Sequence, residues 1–327
     1  MSKSFRNSRG RTPSNSDVIA HARASGPKKI QNSRTGSREI TTKNNLSIIP
    51  IAEDQTRNQA LDLLVEFFPV PRQIWAKALN ASRDRESAGF LLIENGVAYG
   101  VLLTFEHSRE LSGKIRRFIN LSSWYVRESH RAYSYWMFRT AIAEKNVIYT
   151  SVTPGPSPFK ISIASGFRII SNGSILSAPM WNGVGLGRGI RVEAYDSSAT
   201  YHLDEKVLKW LKDHSNDLHI IVLVSGLGTT FPVVFRKTRG YRGLLYARLS
   251  YAGSHELVCA ALPALHWHLL IHKAIVGIQL PCIEPYRDLR SVIAPTRGPS
   301  ILVKGDIPDA DIDLLYTEML YVPSLLM

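Results

Sequence analysis

The order of its helix-like and strand-like segments is the feature that most constrains how this chain of 327 residues can fold. Apolar residues recur at helical spacing from Ala60 to Phe68, and Pro69 ends that run. Asn95 and Gly96 then join two strand-like runs, because both residues tolerate the positive φ angles of a tight turn. The order helix, hairpin, long strand, helix, strand occurs twice, so we expect an α/β protein with mixed sheets in two lobes.

Hydrophobic spacing sets the expected boundaries of these segments. In the first half, the predicted strands are Leu46–Ile51, Gly89–Glu94, Val97–Phe105, Lys114–Val126, Val147–Val152 and Phe167–Ile170. The first predicted helix has Thr56 as its N-cap. The other predicted helices are Arg72–Ala81, Ser129–Lys145 and Pro156–Ser165. In the second half, the predicted strands are Ile190–Tyr195, His219–Val224, Pro232–Arg236, Leu244–Ser250 and Ala274–Leu280. The predicted helices there are Leu203–Lys212 and Glu256–Lys273, the second kinked at Pro263.

The first 45 residues differ in composition from the rest of the chain. They hold ten Lys and Arg residues but only Asp17 and Glu39 as acids, so they carry +8 of the net charge of +13. They also lack the aliphatic periodicity that a packed element needs, which predicts a disordered basic tail over 1–45. Binding to nucleic acid or to an anionic membrane surface through this tail, or a targeting role, are the alternatives that its charge leaves open.

The remainder divides at a stretch containing four glycines. We expect a first lobe at 46–181, a linker at 182–189 and a second lobe at 190–327. The linker sequence GVGLGRG superficially suggests a dinucleotide loop, but such a loop follows a strand and opens a helix. Here it leads directly into the predicted strand Ile190–Tyr195, which favours the linker.

Three further patterns bear on compartment and cofactors. Leu257–Ile283 contains Lys273 as its only charged residue, but two prolines and three histidines interrupt it and no membrane span is predicted. Two cysteines cannot form a disulfide framework, so we expect reduced thiols in a cytoplasmic protein. His268 and His272 have the spacing of paired metal ligands, yet no third ligand lies nearby in sequence, and no metal is expected.

The run Phe118–Trp136, with the sequence FINLSSWYVRESHRAYSYW, resembles the GNAT superfamily of acyl-CoA-dependent N-acyltransferases. In that family a long strand ends in a bulge, and an Arg/Gln-x-x-Gly-x-Gly/Ala turn then opens a helix. The backbone N–H groups of that turn bind the pyrophosphate of coenzyme A. The resemblance covers about 130 residues of the first lobe and, in outline, the second. The residues that it assigns to coenzyme A binding are Val126, Arg131, Ala132, Tyr133, Ser134 and Tyr135.

The sequence departs from that pattern at several positions. Ser134 and Trp136 replace the two motif glycines, and a Tyr that many relatives carry as general acid corresponds here to Ser162. Gly166 and Phe167 match the Gly-Phe pair that follows the last core helix of the family. A packed strand–helix junction without coenzyme A therefore remains the alternative interpretation of this turn.

The resemblance implies two tandem GNAT-like lobes, with acyl-CoA (acetyl-CoA or longer) as co-substrate and an amine or hydroxyl acceptor, a small molecule or a glycan. Catalysis needs a base, and Glu106 at the end of a strand is the candidate, with Tyr125 as a hydrogen-bond donor to the thioester or the acceptor. The corresponding turn of the second half, Tyr251–His255, has no Arg, so we expect that lobe to be structural. A catalytically silent scaffold or CoA-sensing module is the alternative function.

Overall fold

The computed structural model describes residues 40–41, 45–80, 87–111, 113–179, 189–226, 228–240, 243–283, 286, 289, 292–296 and 299–322. Within these residues, six α-helices and fifteen strands form two mixed sheets. Of the expected tail, only residues 40, 41 and 45 are described, and of the expected linker only Gly189; the other residues of both lie outside the described part. No helix of that part is long and apolar enough to cross a membrane.

The first sheet has eight strands in the spatial order β1-β2-β3-β4-β5-β6-β15-β7. They are β1 (Ile40–Thr41), β2 (Leu46–Pro50), β3 (Gly89–Glu94), β4 (Val97–Leu111), β5 (Lys114–Val126), β6 (Val147–Ser151), β7 (Arg168–Ser171) and β15 (Ile301–Lys304). Their helices are α1 (Asp54–Phe67), α2 (Arg72–Asn80), α3 (Ser134–Ala141) and α4 (Pro156–Ala164). We call this sheet with its helices the first lobe.

The second sheet has seven strands in the order β14-β8-β13-β12-β11-β10-β9. They are β8 (Ser174–Ser177), β9 (Arg191–Ala194), β10 (His219–Gly226), β11 (Thr229–Arg239), β12 (Leu245–Ala252), β13 (Ile275–Pro281) and β14 (Val292–Thr296). Its helices are α5 (Glu205–Asp213) and α6 (His255–Lys273). We call this sheet with its helices the second lobe.

The two lobes repeat one topology, as the order of segments along the chain predicts. Each sheet contains four antiparallel strands that lie side by side in chain order, β2 to β5 in the first sheet and β9 to β12 in the second. The last of these four strands has one parallel neighbour. That neighbour is β6 beside β5 in the first sheet and β13 beside β12 in the second. An antiparallel strand, β15 or β8, then separates it from the last strand, β7 or β14. The predicted α/β architecture of two similar lobes is confirmed.

The lobes exchange one strand each, which the sequence did not indicate. Strand β8 follows β7 in the chain but pairs with β13 and β14 in the second sheet. Strand β15, near the end of the described chain, pairs with β6 and β7 in the first sheet. Each exchanged strand fills the same topological position, so neither sheet is formed by the continuous range that we expect for its lobe.

Several element boundaries differ from the predicted ones. Helix α1 begins at Asp54 because Glu53 is its N-cap, while Thr56 returns a hydrogen bond to the Glu53 backbone. The predicted helix over 129–145 is a 3₁₀-helix, Glu128–Tyr133, followed by the eight-residue α3. Strand β4 is six residues longer than predicted, and α6 continues through Pro263.

One apolar core runs across both lobes. Ile148 and Val303 of the first sheet belong to the same cluster as Val233, Leu262 and Ile278 of the second lobe. Two further clusters lie on opposite faces of the first sheet. One packs against α1 and α2 around Trp75 and the other against α3 around Phe138. Burial of such side chains stabilises a fold by about 1.5–3 kcal/mol each, so the shared cluster couples the two lobes energetically.

Candidate functional site

The last third of strand β5 is bent by a bulge. Val101 of β4 pairs with Tyr125, but Leu103, two residues further on, pairs with Ser122. The extra residue on β5 is accommodated at Ser123, whose φ angle of 47° lies in the left-handed region. The structure therefore contains the strand-end bulge that the resemblance implies.

Strands β5 and β6 separate beyond the middle of β5. Their parallel pairing begins at Arg117 with Val147 and ends at Asn120 with Thr150, where the Asn120 amide donates to the Thr150 hydroxyl at 3.1 Å. Strand β5 then continues for six residues to Val126, whereas β6 ends at Ser151. We call the opening between these two diverging strand ends the first wedge.

The residues assigned to coenzyme A binding form a continuous junction after the first wedge. Val126 is buried in the core at the end of β5, and Ser134 is the first residue of α3. The stretch between them is the 3₁₀-helix, in which the His130 N–H donates to Arg127 O at 2.9 Å and the Ser134 N–H to Arg131 O. A 3₁₀-helix uses its N–H groups internally, so in this conformation the backbone offers fewer donors to a phosphate than an open turn does.

The side chains of the junction are more available than its backbone. Arg131, Ala132, Tyr133 and Tyr135 are exposed. The Arg131 guanidinium has an exposed fraction of 67% and lies 4.0 Å from the Glu128 carboxylate, at the outer limit of an ion pair. The junction thus presents an exposed cation and two exposed tyrosine rings, groups that can contact a phosphate and an aromatic base.

Glu106 and Tyr125 are not brought together. Both Glu106 oxygens accept hydrogen bonds from the Arg117 guanidinium, one at 2.9 Å from Nη2, and Arg117 also pairs with Glu144. These hydrogen bonds, the one to Glu106 first, raise the pKa of Arg117. Glu106 pairs along the sheet with Ile119, six residues from Tyr125, which corresponds to about 20 Å along the strand.

Tyr125 lies on the face of the sheet covered by α1. Its ring stacks on Phe67 with 3.4 Å between the ring centroids. It therefore packs at the bulged end of β5, whereas Glu106 lies beside Ile119, near the middle of the β4–β5 pairing and one residue before β5 and β6 stop pairing.

The second lobe repeats the wedge and the bulge. Strands β12 and β13 pair in parallel from Leu245 with Ile275 to Arg248 with Gln279 and then separate. Phe235 pairs with Leu249 and Val234 with Tyr251, which leaves Ser250 as the bulged residue. We call the opening after Arg248 the second wedge.

A cavity of about 160 Å³ lies in the second wedge. Arg248, Ser250 and Gly253 line it from β12 and the turn that follows. Arg109 from the far end of β4, Asp311 and Asp313 from the C-terminal segment, Ser174 and His255 add to its polar lining. The described cavity is thus in the lobe that lacks the motif arginine, which the sequence analysis assigned a structural role.

Arg109 and Arg248 belong to no motif that the sequence presents. Arg248 lies in the middle of the run LYARLSYA, where every neighbour is apolar or a small hydroxyl residue. A cation in the interior of an otherwise apolar strand is the signal that could have drawn attention to it. Arg109 had no such signal, because its neighbours in HSREL resemble a loop and the strand was expected to end at Phe105.

The C-terminal segment connects the two wedges. The Leu314 N–H donates to Ser250 O at 2.8 Å in the second wedge. Four residues later, the buried Glu318 carboxylate accepts from the Thr153 hydroxyl, two residues beyond the end of β6. Burial raises the pKa of Glu318, although Arg236 and Arg248 oppose this effect.

The histidine pair of α6 lies side by side, with 4.7 Å between the ring centroids of His268 and His272. Among the described residues, no group of three His, Cys, Asp or Glu side chains is placed to hold a metal ion.

Solved structures with a similar architecture identify the fold. The fold is similar to that of a GCN5-related N-acetyltransferase from Anabaena variabilis ATCC 29413, with a TM-score of 0.50 and 10% identity, covering 79% of this chain and 72% of that one. A GCN5-related N-acetyltransferase from Kribbella flavida gives the same TM-score and identity, covering 79% of this chain and 71% of that one. This chain has the GNAT fold. No protein-family model matches it, and no curated protein matches its sequence.

The GNAT fold confirms the resemblance drawn from Phe118–Trp136 at the level of architecture. At this identity the likeness establishes the fold alone. Within the GNAT fold, each lobe contributes a wedge with a bulged strand, but the two wedges differ in chemistry. The first leads to a junction with an exposed arginine, and the second contains a cavity lined by two arginines.

Proposed function

We propose that this protein is an acyltransferase that moves an acyl group from acyl-CoA to an amine or hydroxyl acceptor. The observation that carries the proposal is the first wedge, where a bulged strand diverges from its parallel neighbour and ends at a helix junction bearing Arg131. The similar structures from Anabaena and Kribbella are named N-acetyltransferases, which supports the same reaction class here.

In this proposal the thioester lies in the first wedge and the phosphates of coenzyme A lie at Val126–Tyr135. The acceptor nitrogen or oxygen attacks the thioester carbonyl carbon, the carbon–sulfur bond breaks, and coenzyme A leaves as a thiolate. The proton of the acceptor passes to a base or through water, and the thiolate takes up a proton. In this proposal Tyr125, at the bulged end of β5, is the hydrogen-bond donor. Glu106 is the candidate base, because it lies beside Ile119, one residue before the first wedge opens at Asn120.

Isothermal titration calorimetry with acetyl-CoA tests the binding step. We expect Arg131→Ala to weaken binding roughly 10- to 150-fold, because losing one charge-assisted contact costs about 1.5–3 kcal/mol. Lys145→Ala, which removes an exposed cation just beyond α3, is the matched control and should leave the affinity unchanged. No heat with the intact protein, or equal affinity in the Arg131→Ala variant, would reject the first lobe as the coenzyme A site.

A catalytically silent CoA-binding module is the second candidate, and one observation favours it. Glu106, the candidate base, is engaged with Arg117 through both of its oxygens. Release of free thiol from acetyl-CoA in the presence of a panel of amines and alcohols separates the two functions. Thiol release above the background supports the enzyme, whereas tight acetyl-CoA binding without release supports the silent module.

A further inference from the structure

The cavity of the second wedge is lined by residues that carry several hydrogen-bond donors without a partner among the described residues. The Arg248 guanidinium forms no hydrogen bond or ion pair with any residue that the structure describes. The Arg109 Nε and Nη2 atoms are buried and have none either, since only Nη1 is used, in its bond to Asp313. The Ser250 hydroxyl is also buried, in a residue with an exposed fraction of 3%, and lacks a partner within the described chain.

Buried hydrogen-bond donors without a partner lower the stability of a protein unless water or a ligand accepts their hydrogen bonds. A buried polar group without a partner destabilises the folded protein, and a buried cation does so more strongly. Burial lowers the pKa of Arg248 to about 10, against the opposing charge of Glu318. The residues that carry these donors belong to two elements of different lobes, β4 and β12, and all three line one cavity.

The acidic groups that face this cavity leave these donors available. Asp313 is occupied, because it accepts from Arg109 and from the Leu315 N–H at 3.0 Å. Asp311 lines the same cavity and is partly exposed. Glu318 faces Arg248 from the C-terminal segment and is bonded to Thr153. The Asp311 carboxylate is the one of these three acids without a bond to a described residue, and the other unpaired groups are donors.

We propose that the second wedge binds an oxyanion, a carboxylate or phosphate group of a small ligand, held by Arg248, Arg109 and the Ser250 hydroxyl. A guanidinium presents paired N–H groups whose geometry matches both kinds of oxyanion. The volume of about 160 Å³ suits a group of this size, since a cavity of about 150 Å³ in another protein holds a benzene molecule. The site is separate from the proposed coenzyme A junction, because Arg109 is nine residues along β4 from Gly100, the partner of Val126, or about 30 Å.

Calorimetry on the full chain with inorganic phosphate and, separately, with succinate tests this site without any acyl-CoA. We expect millimolar or tighter binding of at least one of the two and a loss of tenfold or more in Arg248→Gln. Arg239→Gln is the matched control, because Arg239 is an exposed arginine on the neighbouring strand β11 of the same sheet. Comparing the two arms shows whether the site prefers the phosphate or the carboxylate.

Two further variants keep the test independent of folding. Ser250→Ala removes a buried hydroxyl that has no partner in the described chain, so it should weaken anion binding severalfold without lowering the melting temperature. Asp311→Asn removes a negative charge from the cavity lining and should strengthen binding severalfold.

The outcomes are distinct from those of the coenzyme A experiment. Binding that Arg248→Gln abolishes and Arg131→Ala preserves supports the anion site whatever coenzyme A does. Displacement of phosphate by coenzyme A would also support the anion site. It would then place the binding site of the acyl-CoA in the second lobe. No heat with either anion at 20 mM, or equal binding by the Arg248→Gln and Arg239→Gln variants, would overturn the proposal.

Discussion

Three strand arginines of this protein show how differently a cation can be accommodated. Arg117 is satisfied by two carboxylates, Glu106 and Glu144. Arg236 is buried and donates to the backbone carbonyls of Met319 and Val322. Arg248, the direct cross-strand neighbour of Arg236, has no such partner in the described chain and faces the cavity. The contrast between these neighbours distinguishes a structural arginine from one available to a ligand.

The ion pair of Glu106 makes a measurable prediction. Arg117 and Glu106 are both about one third exposed, so solvent screens the pair and its contribution is modest. We expect Glu106→Gln to lower the melting temperature by about 1–3 °C, and its effect on turnover decides whether Glu106 is also the base. Glu144→Gln, which removes the other partner of Arg117, is the control.

Differential scanning fluorimetry and a thiol-release assay on both variants measure these two effects. A fall in turnover of tenfold or more in Glu106→Gln, with normal acetyl-CoA affinity and a normal rate in Glu144→Gln, would instead identify Glu106 as the base or as the group that orients water.

Buried histidines of the second lobe predict a loss of stability in mild acid. Burial, and next the charge of His214, lowers the pKa of His219 to about 3, and burial lowers the pKa of His266 to about 4. The unfolded chain takes up these protons near pH 6.5, so below that pH it binds more protons than the folded protein. The stability contributed by neutral histidines is complete above pH 6.5 and is lost progressively as the pH falls toward 4 and 3.

Urea unfolding at pH 7.5, 6.5 and 5.5 tests this dependence. Each of the two histidines should lower the free energy of unfolding by about 1 kcal/mol between pH 6.5 and 5.5. His219→Asn should reduce that loss, whereas the variant His202→Asn, at an exposed histidine, serves as the control. A free energy of unfolding that is constant over this range would contradict the prediction.

At the scale of elements, the local hydrophobic pattern predicted the bounds of long segments correctly but not those of short ones. The bounds of β5, Lys114–Val126, were predicted correctly because a long apolar run ends at charged residues on both sides. The extra length of β4 was missed because its last residues, HSREL, alternate in polarity only weakly. The 3₁₀-helix before α3 has the same residue spacing as an α-helix over so few residues, so sequence could not separate the two.

The candidate site was predictable only where it is local in sequence. Val126 to Tyr135 form one junction, and the motif placed them together. The cavity of the second wedge joins Arg109 to Arg248 and Asp313, and Arg109 is more than a hundred residues from either of them. Such a juxtaposition depends on which strands pair, and four-residue strands such as β8 and β15 carry too little pattern to specify a partner.

At the scale of the molecule, the exchanged strands make the lobes one cooperative unit. Val303 of β15 is fully buried and lies between Thr150 and Arg168 of the first sheet. A proline there removes a ladder donor in a central strand, so we expect Val303→Pro to cost about 3 kcal/mol or more. Both lobes should lose stability together, because the core that they share contains Val303.

Thermal unfolding followed by calorimetry, together with hydrogen exchange of each lobe, tests this coupling. The intact chain should unfold in one transition, and Val303→Pro should expose amides of both sheets. Arg191→Pro, at the first residue of the edge strand β9, is the control and should have a small effect. Two separate transitions, or exposure confined to the first sheet, would show that the lobes are independent.

The position of β15 also sets the time at which the protein can fold during its synthesis. A ribosome that has completed β7 must still add about 130 residues before β15 exists, which takes about 7–26 s at 5–20 residues per second. During that interval β6 and β7 have no strand between them, and β8 has emerged before either of its partners. Slow translation of the second half would therefore prolong the exposure of unpaired strand edges to chaperones and to neighbouring nascent chains.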